Sequence, residues 1–196
     1  MQIKTIAVIG AGTVGRDIAC AAALGGYTTV LEDVSDSMLA KAIAWIHESL
    51  DEAVRGGRVE GDARDAALSR ISTSQVVDEA IRDAELIIEA VPDELEMKLE
   101  LFTIFDKFAK PNAIFVSNTS SLSISDFSDI VIHRERCIGM HFLNPVHKMN
   151  LVEIVRTTHT SDETVAAFVE VVARMGKETV VVNEAPGLSK GPQNKM

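Results

Sequence analysis

Cysteine is scarce in this sequence. Cys20 and Cys137 are the only two in 196 residues. Two thiols cannot build a disulfide framework, and both sit among apolar neighbours, where a thiol packs as a small hydrophobe. A reducing compartment suits such a chain, so a cytoplasmic location is expected. Positive charge is also short: 19 Lys and Arg stand against 29 Asp and Glu, for a net charge of −10. A surface of that sign repels a phosphate backbone, so nucleic acid is not an expected partner. No apolar run approaches the roughly 20 residues of a membrane span, so no membrane association is expected. The opening MQIKTIAVIGAGTVG is apolar, but a glycine cluster interrupts it where a secretory signal would continue. G-x-S-x-G is absent, which argues against a serine hydrolase.

What is present is an alternation of short apolar runs and longer amphipathic stretches. The chain is 46% hydrophobic and 24% charged, as in soluble globular proteins, and its length allows one or two domains. Strands are predicted at 3–9, 28–32, 71–73, 85–89, 113–117, 136–142 and 150–156, and over ETVVV at 178–182. Between the second and third, an apolar stripe at Leu39, Ile43, Ile46, Leu50 and Val54 predicts a long helix ending at Gly56-Gly57. A shorter helix around 58–70 would fold back on it to make a helical arm. Helices are also predicted over 94–109, 123–127 and 162–176. The fold class expected is α/β, a Rossmann-type, doubly wound, mainly parallel sheet with a helical arm after the second strand.

Gly10-Ala11-Gly12-Thr13-Val14-Gly15 fits G-x-G-x-x-G between a predicted strand and a predicted helix. Gly10 suits the tight turn, Gly12 the approach of a pyrophosphate, and Gly15 close packing of helix on strand. Asp33, at the end of the next strand, is placed to accept hydrogen bonds from an adenosine ribose. With Glu32 beside it, a 2′-phosphate would meet two negative charges, so the expected cofactor is NAD rather than NADP.

The stretch 137–155, CIGMHFLNPVHKMNLVEIV, reads as two apolar strands around an Asn-Pro turn, yet it carries His141 and Glu153. A lone buried carboxylate is costly, so Glu153 needs a partner. A turn between the strands would bring it to His141, to fix the imidazole tautomer and stabilise the imidazolium. Cys137 and His141 do not make a thiol dyad, because four residues of strand span about 13 Å. SNTSSLS at 117–123 follows another strand, and Asn118, Ser120 and Ser121 would project polar groups where ligands gather in open α/β sheets.

IGAGTVG, EAVPDELEMK, SNTSSLS and HFLNPVHKMNLVEIV stand here in the order they take in the L-3-hydroxyacyl-CoA dehydrogenases, including bacterial 3-hydroxybutyryl-CoA dehydrogenases. From Ile3 to about Gly187 the chain resembles their NAD-binding domain. The resemblance implies NAD-dependent oxidation of a 3-hydroxyacyl-CoA to the 3-oxoacyl-CoA, or the reverse, within fatty acid metabolism. It implies that His141 is the base on the 3-hydroxyl and Glu153 its partner, and that Ser120 and Asn144 bind substrate oxygens and the nicotinamide side. Asp33 would hold the ribose. Asp93 stands where the family often has Glu, and Lys98 matches a cofactor-contacting Lys. Ser49 matches a coenzyme A contact. The family's nearby Lys falls at Gly56, with Arg55 or Arg58 as candidate substitutes.

The family continues after PGF into a helical domain of roughly a hundred residues. Here PGL runs into SKGPQNKM, and a family Asn near that junction is replaced by Gly191. The expected organisation is an NAD-binding domain over 1–184 and a flexible tail over 185–196, without the C-terminal helical domain. An uncovered acyl cleft would favour self-association. Two other readings stand beside the first. One is an NAD-binding module with little turnover. The other is a related hydroxy-acid dehydrogenase such as gulonate dehydrogenase.

Overall fold

The computed structural model of the chain describes residues 2–142 and 150–184. The Asn-Pro turn with Asn144, and the tail over 185–196, lie outside these residues.

The alternation of apolar runs becomes a sheet of eight strands. β1 (Thr5–Ile9) leads through the glycine turn into α1 (Thr13–Leu24) and back to β2 (Thr28–Glu32). The helical arm follows as α2 (Asp36–Arg55) and α3 (Gly61–Ser69). Ser35 caps α2 by accepting from the Met38 amide at 3.4 Å, and Gly57, at φ +67°, ends it. Next come β3 (Ile71–Ser74), α4 (Val77–Ile81), β4 (Leu86–Glu89), α5 (Leu95–Phe108), β5 (Ile114–Asn118) and α6 (Ile124–Ser128). The described chain closes with β6 (Cys137–Phe142), β7 (Leu151–Arg156), α7 (Asp162–Arg174) and β8 (Glu178–Asn183). The strand expectations hold within a residue or two. α4 and a short 3-10 turn at Arg134–Arg136 are missed from sequence: they are too short to display a helical period, and α4 lacks the Ser/Thr-rich run that marks the equally short α6.

The strands lie in the order β3-β2-β1-β4-β5-β6-β7-β8. All pairs from β3 to β6 are parallel. β7 runs antiparallel to β6, and β8 parallel to β7. Side chains alternate across the strands, so each strand feeds two cores. Ile6 and Val8 of β1 face α1, α2 and α7. Ala7 and Ile9 face α4, α5 and α6, where the Phe102 and Phe127 rings pack tilted, 4.9 Å between centroids. β1 pairs with both β2 and β4, so the winding reverses there, and a crevice opens beyond the carboxyl ends of these strands. Among the described residues, no helix is long and apolar enough to cross a membrane.

Candidate active site in the cleft at the strand ends

The glycine turn opens the site. Gly10 sits at φ +100°, a conformation side chains resist, and its N–H donates to the Glu32 carbonyl at 2.8 Å. A Cβ on Gly15 would fall 1.8 Å from the Gly10 carbonyl oxygen, so the helix can meet the turn only with glycine there. At Gly12 a Cβ would meet nothing within 4 Å. The first turn of α1 holds no acidic residue, and its cap residue makes no side-chain hydrogen bond. Open space and bare N–H groups at the positive end of a 12-residue helix suit an anionic pyrophosphate.

A cavity of about 810 Å³ runs from this turn along the strand ends. Gly10, Gly12, Thr13, Val14, Asp33, Asp93, Asn118, Ser120 and His141, all expected at the site, line it. Ala11 and Gly15 complete the turn behind it. The Asp33 carboxylate accepts from the Ala11 amide at 3.0 Å and from the Ser35 amide at 2.9 Å. It therefore braces the turn, and each oxygen keeps a lone pair for a ribose hydroxyl. Glu32 lies beside it, buried, with one oxygen unmet among the described residues. Burial, and then the charge on Asp33, push the Glu32 carboxyl up to about 7.

Lys98 sits differently from the expectation of a side chain reaching the cofactor. Its side chain is fully buried, and it does not line the cavity. Its ammonium donates to both Glu89 oxygens, at 2.8 and 2.6 Å, and to the Asn118 carbonyl at 3.1 Å. Asp93 lies 3.3 Å from the same ammonium and accepts from the Ser120 amide and the Ser121 hydroxyl, at 3.2 and 3.0 Å. Burial raises the Asp93 carboxyl, but Lys98 and these donors outweigh it and leave it below its ordinary range. At Glu89 burial prevails over Lys98 and Ser117, and its carboxyl is raised. Lys98 thus braces the loop that carries Ser120. Glu89 and Ser117 complete the cluster, with the Ser117 hydroxyl donating to Glu89 at 2.6 Å. Neither was singled out from sequence, although an acid ending the apolar run ELIIE is the same signal as Glu153 in LVEIV.

His141 and Glu153 are direct partners in the antiparallel register of β6 and β7. His141 Nδ1 lies 3.7 Å from Glu153 Oε2, within ion-pair range but longer than a hydrogen bond. The expectation that both are buried is corrected: their side chains are 34% and 41% exposed. They lie on the face of β6 and β7 that α6 covers at Gly139 and Val155, but past that contact, where the cavity opens, so burial is not what forces the pairing. Cys137, on the same strand, packs into the core with its thiol pushed up to about 12 by burial. That leaves it inert as a nucleophile.

Ser49 stands apart. It lines a separate cavity of about 440 Å³, shared with Trp45, Arg58 and Lys177 and with the acids Asp17, Glu48 and Glu52. Of the two arginines proposed to replace the family Lys, Arg58 reaches this cavity. Its acids weaken the case for a phosphate there.

A glycine turn on a bare helix end, a braced acid at the second strand and a doubly wound sheet define a dinucleotide-binding domain. The family described as "3-hydroxyacyl-CoA dehydrogenase, NAD binding domain" matches residues 5–185, and the chain belongs to it. Hydroxyacyl-coenzyme A dehydrogenase of Sus scrofa mitochondria is 39% identical over 94% of this chain and 60% of its own length. For 3-hydroxybutyryl-CoA dehydrogenase of Bradyrhizobium diazoefficiens the identity is 40%, over 94% and 62%. The crystal structure of (S)-3-hydroxybutyryl-CoA dehydrogenase from Ralstonia eutropha superposes with a TM-score of 0.90 at 35% identity, over 95% of this chain and 65% of that one. The chain therefore spans about 60% of the length of these curated relatives.

Proposed function

We propose that this chain is the cofactor- and base-bearing part of an NAD-dependent 3-hydroxyacyl-CoA dehydrogenase. Its substrate is a 3-hydroxyacyl-CoA oxidised to the 3-oxoacyl-CoA, or the reverse. The observation that carries the reading is that His141, paired with Glu153, lines the same cavity as Gly12 and Asp33. Oxidising a secondary alcohol needs a base on the hydroxyl at one end of a dinucleotide cleft. Bound NAD supplies the hydride acceptor. Glu153 faces Nδ1 of His141, which favours the tautomer protonated there and leaves Nε2 free to take the 3-hydroxyl proton. The imidazolium that forms is stabilised by the carboxylate. Ser120, exposed at the rim, would donate to the substrate oxygen, and the resemblance assigns Asn144 to the same task. Asp33 would hold the adenosine ribose. Asp93 and Asn118 would meet the nicotinamide side, with Lys98 acting through them. Ser49 and Arg58 are the candidates for coenzyme A.

NADH oxidation by acetoacetyl-CoA tests this reading. Turnover lost in a His141→Gln variant that still binds NADH supports it. NADH binding without any turnover would make the chain an NAD-binding module. Turnover of gulonate but not of acyl-CoA would move it to a related hydroxy-acid dehydrogenase.

A further inference from the structure

Helix α6 has five residues, too short to hold itself together, and its cap residue Ser123 makes no side-chain capping bond. A carboxylate 60 positions further along the chain takes over. Glu184 Oε1 accepts from the Ile124 amide at 2.5 Å, the Ser123 hydroxyl at 2.9 Å and the Ser125 amide at 3.3 Å. Its Oε2 accepts from the Ser125 hydroxyl. Charge-assisted bonds at the positive end of a helix are the strong kind.

The same residue is tied on its other side. The Glu184 amide donates to the Arg156 carbonyl at 2.8 Å, at the end of the strand that carries Glu153. Ile124, held at the start of α6, presses on β6: a Cβ built on Gly139 would lie 2.5 Å from Ile124 Cδ1. Gly139 is two residues before His141. Upstream, the Thr119 hydroxyl oxygen accepts from the Ser121 and Leu122 amides, at 3.2 and 3.0 Å, so the loop bearing Ser120 runs directly into the clamped turn.

We propose that Glu184 is a positioning residue. It clamps the β5–α6 loop to the strand pair that carries His141 and Glu153, and so sets where Ser120 stands relative to the base. The clamp itself is independent of the reaction assigned above; its effect on turnover rests on that assignment.

Residue-resolved amide exchange on the whole chain tests the clamp. In Glu184→Ala and Glu184→Gln, the Ile124 and Ser125 amides should exchange roughly 10-fold faster or more, the loss expected for hydrogen bonds to a charged group. Ser121 and Leu122 should follow. Val8 and Ile87, in the central strands, should keep their rates, and NADH affinity should stay within about twofold, because the nucleotide turn is remote. Glu184→Asp should restore part of the protection. Ser125→Ala, which removes one donor, gives a milder version should Glu184→Ala fail to fold. In the acetoacetyl-CoA assay kcat should fall while KM for NADH stays constant. Faster exchange confined to Ile124 and Ser125 would reduce Glu184 to a local cap and overturn the proposal. So would loosening spread over the whole sheet, or the expected exchange pattern with unchanged kcat. If the unmutated chain has no turnover, the dehydrogenase reading fails, and the exchange pattern at Ser121 and Leu122 still decides the clamp.

Discussion

The ammonium of Lys98 lies 2.6 Å from the Glu89 carboxylate, and both side chains are fully buried. The pair links the end of β4 to α5, and through Asn118 and Asp93 it reaches the loop that carries Ser120. Removing one member strands the other's charge, so Lys98→Met should destabilise the fold by about 3–5 kcal/mol. Replacing both together, as Glu89→Leu with Lys98→Met, should cost distinctly less, because no fully buried charge is left unpaired and Asp93, which also loses Lys98, is partly exposed. Urea denaturation of the two single variants and the double variant measures the difference. A double variant as unstable as the sum of the singles would mean that packing, not charge, holds this junction.

Glu32 should make stability depend on pH. Its folded carboxyl is raised from 4.5 to about 7 by burial and by Asp33, so between those values the folded state holds a proton that the unfolded state releases. Stability therefore falls as pH rises from 4.5 towards 7 and levels off above. Glu32→Gln removes the penalty. At pH 8 it should be more stable than the parent by about 3 kcal/mol, at 1.36 kcal/mol per unit. At pH 5 the gain should be under about 1 kcal/mol. Denaturation curves that keep a constant offset at both pH values would rule the effect out.

Asp33 and Glu32 should set the cofactor preference. NADH should bind far more tightly than NADPH, since a 2′-phosphate would meet the Asp33 charge, with Glu32 adding its own as it ionises above about pH 7. Asp33→Ala should weaken NADH binding and narrow the gap. Because Asp33 also accepts from the Ala11 and Ser35 amides, part of the loss will come from a loosened glycine turn. Asp33→Asn keeps one acceptor oxygen and should lose less. Fluorescence titration with both nucleotides decides it, and equal affinity in the unmutated chain would sink the idea.

His141→Gln should lower kcat by about 10²-fold or more, within the range for loss of a general base. NADH affinity should barely move. Glu153→Gln should also lower kcat, through loss of imidazolium stabilisation. Near-normal turnover in His141→Gln would place the base elsewhere.

Local chemistry made much of this protein legible in advance. The glycine turn, the acid at the end of β2, the capped and glycine-terminated arm helix and the alternation that sets the sheet all depend on neighbours close in sequence. Gly10 and Gly15 could be assigned their tasks because a tight turn and a close packing contact leave no room for a Cβ. α4 escaped, being shorter than two helical turns and without the Ser/Thr-rich lead that marked the equally short α6.

What only the tertiary structure decided is what long-range contacts decide. The sequence marked His141 and Glu153 as partners but suggested burial; their place past the stretch of β6 and β7 that α6 covers left them partly exposed. Lys98 matched a cofactor contact in its motif. Its ammonium is instead enclosed, because β4, α5 and the end of β5 converge on it with Glu89, Asp93 and the Asn118 carbonyl. Ser49 sits in its own cavity because the arm carries it away from the strand ends. Glu184 has no local signal as a clamp. The partners of its carboxylate are about 60 residues away in sequence, and no periodicity or spacing encodes a contact that exists only once β8 lies beside β7.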